Sequence, residues 1–354
     1  MSEVTNHYGA TAAREHGRPG REVRPKSLTI DMHSHVMVPA AMTFTQPYVD
    51  PQLIPIVKYS APDSTELNKK QGRDRDPNLL QADLRLADMA AAGIDMQIIM
   101  PPPPQCTYSV PLEVGIKAAR MVNEGLAEFV AKHPDKFAAL GTVPMQDGKA
   151  AAAELERSMK ENNMKGAQIL TNVNGIELSD PAFAPFWEKA EELGAVVLLH
   201  PNGFTEGQRM SRYYFNNVIG NPLETTMALH YLIFDGVLER HPALKIVAVH
   251  GGGYLAAYSG RIDHAWGARS DTRGKLPNPP TSYLKKIYFD SVVFTTHQLR
   301  TLIEVFGAGH VVMGTDYPYD MAESDPIGHL ATAGLNEADF AAIAGGNAKK
   351  LFGV

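Results

Sequence analysis

The sequence contains a single cysteine, Cys106, among its 354 residues. One cysteine excludes an internal disulfide framework and a cysteine-rich metal site, and it fits a reducing compartment, so we expect the protein in the cytoplasm. Long apolar runs are also absent, since no window approaches the roughly 18 consecutive apolar residues of a membrane-spanning helix. The net charge of −6 is far from the basic balance typical of nucleic-acid binding. We therefore expect neither a membrane nor a nucleic acid among the partners.

The chain also lacks internal repeats, a phosphate-binding loop and a dinucleotide-binding fingerprint, so no organic cofactor is expected. Its first 26 residues are rich in basic side chains but have no apolar segment, which excludes a secretory signal. Glu15 and Glu22 argue against an organellar presequence. We interpret residues 1–26 as an N-terminal arm that is flexible or contacts a neighbouring subunit, and residues 27–354 as one domain.

What the sequence does contain is an alternation of short apolar runs and longer helical patterns. The apolar runs predict strands at Leu28–His33, Met96–Met100, Ala138–Val143, Ala167–Leu170, Val196–His200, Ile246–His250, Ile287–Val292 and Val311–Gly314. Helices are predicted between them at Leu80–Ala92, Leu112–Lys132, Lys149–Asn162, Pro181–Leu193, Leu223–Arg240 and His297–Phe306. This alternation is typical of parallel α/β folds, and continuous apolar strands indicate that both sheet faces are covered. A barrel with insertions, a long open sheet and two smaller domains all fit the alternation.

Polar side chains follow the apolar runs and decide between these architectures. The first strand closes on Asp31-Met-His33-Ser-His35, and two later runs end in His200 and His250. The last run leads into Asp316. Residues two apart on a strand point to the same side, and barrel active sites lie at the carboxyl ends of the strands. Any one of these residues alone is explained as a satisfied polar group, but five metal-compatible groups at one edge favour a (β/α)₈ barrel, a TIM barrel, with a metal site.

One connection departs from the repeat. Residues 36–79, after the first strand, contain several prolines and are too long for an ordinary loop between a strand and a helix. In a barrel this insertion would lie over the active-site face. We interpret it either as a lid or substrate wall or as a plain surface insertion.

The polar motifs resemble those of a known family. The matching pieces are Asp31-Met-His-Ser-His35, Gly141-Thr-Val-Pro-Met-Gln146, His200-Pro201, Glu224-Thr-Thr226, His250-Gly-Gly-Gly253 and Gly314-Thr-Asp-Tyr-Pro318. In this order they are similar to the amidohydrolase superfamily, and the last two point to its decarboxylase branch. The resemblance implies that His33, His35, His200 and Asp316 bind the metal. It also implies that His250, beside the ion, handles the metal-bound water.

The resemblance extends to the substrate-binding residues. Arg261 matches an arginine that family members contribute across a dimer interface to a substrate carboxylate, so a homodimer is expected. Arg73 is the best match for a second substrate arginine, although the segment around it aligns poorly. Tyr214 stands where the family places a tryptophan over the substrate. The expected partner is thus a small carboxylic acid.

The fourth strand argues for a single ion. Binuclear relatives carry a bridging Lys or Glu at its end, whereas this chain has Gly-Ala-Gln168-Ile-Leu-Thr-Asn. Three imidazoles and one carboxylate suit one divalent ion, and we favour zinc over manganese for this donor set.

A metal-dependent nonoxidative decarboxylase, a carbon–carbon lyase, is the function that the resemblance implies. Its substrate would be an unsaturated or aromatic carboxylic acid of the aminocarboxymuconate-semialdehyde or hydroxybenzoate type. The alternative is a mononuclear metallohydrolase or hydratase on the same scaffold, because the metal ligands alone do not separate the two reactions. A catalytically inactive binding protein is a third possibility, against which the complete ligand set argues.

Overall fold

All eight predicted strands form; two of them, Met96–Met100 and Val196–His200, have the predicted bounds, and the other six differ at one end or both. A computed structural model describes residues 19–354. The parallel strands are β1 (Ile30–His35), β2 (Met96–Met100), β3 (Phe137–Ala139), β4 (Gly166–Leu170), β7 (Val196–His200), β8 (Lys245–Ala248), β9 (Tyr288–Asp290) and β10 (Val311–Val312). Two further short strands, β5 (Asn172–Val173) and β6 (Ile176–Glu177), form an antiparallel hairpin.

The parallel strands belong to two sheets that are joined at both edges. One sheet has the order β1-β2-β3, and the other has the order β10-β9-β8-β7-β4. Past β3, the amide of Gly141 donates to the carbonyl of Gly166 on β4 over 3.0 Å. At the other edge, the amide of Met32 on β1 donates to the carbonyl of Met313 over 2.9 Å. The predicted α/β class with parallel strands is confirmed.

The strands are buried on both faces, as their continuous apolar runs predict. One buried cluster contains Ile30, Met32, Ile98, Met100, Leu140, Leu198 and Val247 from several strands. Residues that alternate with these, such as Ile99, Val197 and Ala248, instead pack with the helices in a second cluster. Each fully buried Leu or Ile contributes about 1.5–3 kcal/mol through loss of apolar surface from water.

Helices cover the outside of the sheets. The longest are α1 (Pro62–Leu80), α2 (Ala82–Ala92), α3 (Leu112–Lys132), α4 (Gly148–Glu161), α5 (Ala184–Leu193), α6 (Asn221–Phe234), α7 (Gly260–Ala268) and α8 (Thr296–Phe306). In α3, which has the predicted bounds, Ala118, Val122, Leu126 and Phe129 form the buried stripe. The predicted helix Leu223–Arg240 is interrupted, because Gly236 adopts a left-handed conformation (φ 75°) and a separate turn, Val237–Arg240, follows it.

The connection after β1 is largely helical. It contains the short helices Pro39–Thr45 and Pro55–Lys58 and the 19-residue helix α1. The sequence does not predict α1, since Gly72 and Pro77 lie inside it and its polar composition hides any apolar stripe. Near Pro55 the connection lies against the chain that follows β7. There the amide of Ile56 donates to the carbonyl of Asn202 over 3.1 Å.

The chain start is only partly described. Residues 1–18 of the predicted N-terminal arm lie outside the described residues. In the remainder, the helix Gly20–Val23 is held by a hydrogen bond of 3.1 Å from the amide of Gly20 to the carboxylate of Asp325. Arg24 forms an ion pair with Asp95. Within residues 19–354, no helix combines the length and the apolar character needed to cross a membrane.

Candidate active site

Four histidines meet at the carboxyl ends of the strands. His33 and His35 lie on β1, His200 ends β7, and His250 follows β8. The ring centre of His33 is 5.1 Å from that of His35, 5.2 Å from that of His200 and 5.4 Å from that of His250. Because the strands are parallel, their carboxyl ends share one edge, and the predicted convergence of the imidazoles is observed.

The Nδ1 atoms of three imidazoles are held by acceptors. His33 Nδ1 donates to Asp290 Oδ2 over 2.7 Å, and His35 Nδ1 donates to the carbonyl of Pro101 over 3.1 Å. His200 Nδ1 donates to the carbonyl of Pro201 over 2.7 Å. Since a carboxylate or carbonyl only accepts, each Nδ1 carries the proton and each Nε2 keeps a lone pair. Acceptors that hold Nδ1 in this way orient the imidazole rings of metal-binding histidines.

The Nε2 atoms fit a bound cation. Those of His33 and His200 are buried and have no hydrogen-bond partner among residues 19–354. The Nε2 of His35 lies 3.1 Å from Asp316 Oδ1, so that two acceptors face each other. A buried acceptor without a donor costs about 1–3 kcal/mol, and a shared metal ion removes this cost. The donor set therefore fits a divalent metal.

The tightest group of donor atoms differs in one member from the set that the resemblance implies. One donor atom each from His33, His200, His250 and Asp316 all lie within 4.8 Å of one another. His250 Nε2 is 3.5 Å from Asp316 Oδ2, and His35 contacts the other oxygen of the same carboxylate. Both sets share His33, His200 and Asp316, and they differ in whether His35 or His250 completes them.

Burial favours the metal-binding protonation state of two of the histidines, whereas at His33 the carboxylates of Asp316 and Asp290 outweigh burial and raise the pKa. Burial, together with the neighbouring imidazoles, lowers the pKa of His200 well below its usual value. Burial also lowers the pKa of His35. Burial alone would raise the pKa of Asp316, but the imidazoles that surround the carboxylate hold it well below its usual value. Neutral imidazoles and an ionised carboxylate are the forms that bind a metal.

Two residues of the donor cluster have unusual backbone conformations. His250 and Asp316 have positive φ angles of 55° and 63°. Such left-handed conformations cost about 1–2 kcal/mol in residues other than glycine, and they cluster at functional sites. The turn at His250 explains why β8 ends at Ala248, before the predicted end. It also explains the glycines of the His250-Gly-Gly-Gly253 motif, which all have positive φ.

The structure brings Arg75, rather than Arg73, towards this site. Arg73 is exposed on α1, and it acts electrostatically on Glu66. Two residues later the helix has turned by roughly 200°, and Arg75 is only 6% exposed. Its Nη2 lies 3.8 Å from Asp320 Oδ1. Of the two arginines, Arg75 is therefore the one that lies beside Tyr214 and Asp320.

Tyr214 lies beside Asp316 and Asp320, and its contact with a substrate stays a prediction. Burial raises the pKa of its hydroxyl, and the nearby carboxylates of Asp320 and Asp316 raise it further. Tyr319 shares the neighbours Asp316, Asp320 and Arg75 with Tyr214, and its ring centre is 5.2 Å from that of His35. Arg261, in contrast, is exposed on α7. Within one chain it has no salt bridge among the described residues.

Asp290, Tyr319 and Asp320 are neighbours of the metal cluster that the sequence does not single out. Asp290 had the same signal as the other strand ends, because it follows the apolar residue Phe289 at the end of β9. Its carboxylate accepts from His33 and from the amide of Gly251 over 2.9 Å, and so connects β1 with the turn at His250. Tyr319 and Asp320 lie in an irregular segment after β10, where no periodicity marks them.

Known proteins resemble this chain over nearly its whole length. A family model described as amidohydrolase matches residues 30–354. The 2-amino-3-carboxymuconate-6-semialdehyde decarboxylase of Dictyostelium discoideum is 32% identical over 333 residues, which cover 93% of this chain and 92% of that protein. A gamma-resorcylate decarboxylase of Rhodococcus jostii is 30% identical, with 76% of this chain and 87% of the relative covered.

Solved structures of decarboxylases are similar to this chain in fold. A 5-carboxyvanillate decarboxylase from Sphingomonas paucimobilis has a TM-score of 0.81 at 27% identity, with 92% of this chain and 99% of that chain covered. A dihydroxybenzoic acid decarboxylase from Polaromonas, with bound manganese and the inhibitor 2-nitroresorcinol, has a TM-score of 0.78 at 25% identity, with 92% and 97% covered. The chain therefore belongs to the amidohydrolase family, in its branch of metal-dependent decarboxylases.

Proposed function

We propose that this protein removes CO₂ nonoxidatively from an unsaturated or aromatic carboxylic acid of the aminocarboxymuconate-semialdehyde or hydroxybenzoate type. The observation that carries this is the convergence of the His33 and His200 Nε2 atoms, both without a hydrogen-bond partner in the described chain, on the carboxylate of Asp316. Relatives that share this branch are named decarboxylases. A metallohydrolase or hydratase is not favoured, because no such activity appears among these relatives.

The proposed scaffold is a (β/α)₈ barrel of residues 27–354 with its insertion after β1. Hydrogen bonds between the two sheets at both edges support closure, and so does the alternation of the two buried clusters. The connection over residues 36–79 would form a wall of the substrate site. Its contact with Asn202, two residues after His200, supports this role.

One divalent ion is proposed, on His33, His35, His200 and Asp316. Zinc is the expectation from the donor set, whereas the related Polaromonas structure holds manganese. When bound, the ion supplies positive charge that stabilises an electron-rich oxygen of the substrate. Elemental analysis of the purified protein decides between the two metals.

The reaction replaces a carboxylate with a proton on one carbon. Arg75, and Arg261 from a second subunit, would hold substrate carboxylates by charge-assisted hydrogen bonds. His250 would deliver a proton from its ring nitrogen to the carbon that bears the carboxylate. The bond between the two carbons then breaks, its electron pair returns to the π-system, and CO₂ leaves. Tyr214 and Tyr319 would cover the substrate and limit access of water.

The purified wild-type protein tests this function. We expect about one equivalent of divalent metal and CO₂ release from carboxymuconate semialdehyde or from a member of a hydroxybenzoate panel. Removal of the metal by a chelator should abolish CO₂ release, and re-addition of zinc or manganese should restore it. Products that have gained water without loss of CO₂ would contradict the proposal and favour the hydrolase.

Replacement of Arg75 or of Arg73 by glutamine tests which of the two arginines binds the substrate. Arg75→Gln should lower kcat/KM by about 10²-fold, because it removes a buried, charge-assisted contact to a carboxylate. Arg73→Gln is the matched control, and we expect less than about a twofold change because the side chain is exposed. Steady-state kinetics on both variants give the comparison. A large loss in Arg73→Gln with little change in Arg75→Gln would reverse the assignment.

A homodimer is proposed for the assembly. Large aromatic side chains are exposed at Tyr258 (67%), three residues before Arg261, and at Tyr213 (69%), in the chain after β7. The Tyr254 hydroxyl donates to the carbonyl of Ile219 over 3.3 Å, which connects the two segments that carry these side chains. An exposed apolar patch beside an arginine suits an interface with a second copy. A cytoplasmic location stays a prediction from the single cysteine.

A further inference from the structure

One arginine is completely buried in contact with the end of β1. Arg85, on α2, is 0% exposed, although arginine is normally a surface residue. Its Nη1 donates to Gln97 Oε1 over 2.9 Å, and its Nη2 donates to the carbonyl of Asn78 over 3.2 Å. Nη2 also donates to the carbonyl of His35. The guanidinium therefore connects α2 with three other segments of the chain.

Two of the contacted segments carry metal-compatible residues. The carbonyl of His35 accepts from Arg85, while the amide of His35 donates to the carbonyl of Tyr317 over 2.8 Å. The ring of Tyr317, the residue after Asp316, lies against the guanidinium, with its centre 4.7 Å from Arg85 Cζ. Arg85 thus contacts the backbone of one residue of the metal site and the immediate neighbour of another.

The third segment is the helix α1, which carries Arg75. Asn78, whose carbonyl accepts from Arg85, lies three residues after Arg75. The side-chain amide of Asn78 also donates to the Tyr317 hydroxyl over 2.7 Å and to Asp88 Oδ2 over 3.0 Å. That hydroxyl donates to the same Asp88 oxygen over 2.7 Å. The contacts at Asn78 therefore fix this part of α1 against the segment that follows β10.

A second path leads from Arg85 through Gln97 on β2 to the interior of β1. Gln97 Nε2 donates to Asp31 Oδ2 over 2.9 Å. The other oxygen of Asp31 accepts from the amide of His33 over 3.1 Å and from the amide of Thr315 over 3.0 Å. Buried polar networks of this kind rigidify the part of the core that they connect.

The free energy of unfolding does not explain a charge at this place. Burial lowers the pKa of Arg85 to about 10, so the guanidinium stays charged at neutral pH. Among residues 19–354 it forms no salt bridge, since Asp31 and Asp88 act on it only from a distance. Buried charges cost several kcal/mol in desolvation, and well-packed apolar replacements are often neutral or stabilising. The fork of donors, which fits acceptors on three segments, instead indicates a role in positioning.

We propose that Arg85 is a positioning residue that holds the end of β1, the segment after β10 and the helix α1 in one arrangement. His35 and Asp316 then keep the positions that a divalent ion requires, and Arg75 keeps its place beside Asp320. Arg85 acts through these residues and is not itself a catalytic group. The inference rests on the proposed function for the roles of the metal and of Arg75.

Zinc affinity tests the positioning role without turnover. Competition with a chromophoric chelator measures Zn²⁺ binding to the full-length wild type and to its variants. Arg85→Met removes every donor and should weaken Zn²⁺ binding by about 10- to 100-fold, as loss of a partner behind a metal ligand does. Arg85→Lys keeps a charge and donors, so its affinity should lie between those of wild type and Arg85→Met. The visible absorption spectrum of the Co²⁺-loaded protein should shift in Arg85→Met, because the ligand geometry changes.

Arg300→Met is the matched control. Arg300 is exposed on α8 and also donates to two backbone carbonyls, those of Ala333 over 2.9 Å and Thr332 over 3.1 Å. It does not belong to the metal-compatible cluster found among residues 19–354. Its replacement should leave Zn²⁺ affinity and the Co²⁺ spectrum unchanged. Thermal unfolding in the presence of a chelator measures the loss of fold stability separately in each variant.

Binding of benzoate tests the connection to Arg75. Calorimetric titration is performed on the protein at saturating zinc. We expect Arg85→Met to weaken benzoate binding as Arg75→Gln does, and the double variant to be little weaker than either single variant. This non-additivity is expected because both changes affect the same contact with the carboxylate.

A folded Arg85→Met protein with the Zn²⁺ affinity and Co²⁺ spectrum of wild type would overturn the proposal. If Arg85→Met does not fold, Gln97→Leu decides, because it keeps the guanidinium and removes one acceptor. It should weaken Zn²⁺ binding by about 3- to 10-fold, and an unchanged affinity would also overturn the proposal. An absence of CO₂ release and of benzoate binding in wild type would contradict the proposed function, while Zn²⁺ affinity still tests Arg85.

Discussion

Replacement of His200 by alanine is expected to remove the bound metal and to lower CO₂ release by about 10³-fold or more. His200 is 5% exposed, its Nδ1 is held by the carbonyl of Pro201, and its Nε2 has no other partner among the described residues. It therefore has no evident role except as a ligand. Elemental analysis and CO₂ release, measured on the same preparation, give the result.

His297→Ala is a matched control for this change. His297 is exposed in the first turn of α8 and does not belong to the metal-compatible cluster found among residues 19–354, so the variant should keep about one equivalent of metal and the wild-type rate. Thermal unfolding of both variants in the presence of a chelator separates a loss of metal from a loss of fold. Retention of metal at wild-type affinity in His200→Ala would remove this residue from the ligand set.

The metal site was predictable because its signal is local. An apolar strand that ends in a metal-compatible side chain indicates that the active site lies at the carboxyl ends of the strands, and this signal does not depend on the loop sequences. The parallel strands were predictable for a similar reason, because their continuous apolar runs differ from the spaced apolar residues of the amphipathic helices. Asp290 carries this signal too and was missed, because one aspartate after Phe289 does not reveal that it will accept a proton from His33.

The substrate residues were less predictable, because they depend on structure that the sequence pattern hides. Whether Arg73 or Arg75 faces the site is decided by the rotation of α1, a helix without a readable apolar stripe. The left-handed turn at His250 is set by its contacts with Asp290 and the glycines that follow.

His250→Ala is expected to separate metal binding from proton transfer. If His35 completes the ligand set, the variant keeps about one equivalent of metal and loses about 10²- to 10⁴-fold in kcat, as removal of a general acid requires. His35→Ala should instead lose the metal. The structure places His250 Nε2 3.5 Å from one Asp316 oxygen and His35 Nε2 3.1 Å from the other, so both variants must be measured together.

The reverse pattern, with metal lost in His250→Ala and kept in His35→Ala, would make His250 the fourth ligand and exclude it as the proton donor.

The His250→Ala variant also tests whether the protein works as a homodimer with shared active sites. Mixed dimers of His250→Ala and Arg261→Ala contain one site with both residues intact if Arg261 acts across the interface. They should therefore recover roughly a quarter to a half of the wild-type rate per dimer, whereas verified mixed dimers without activity would place Arg261 outside the partner's site.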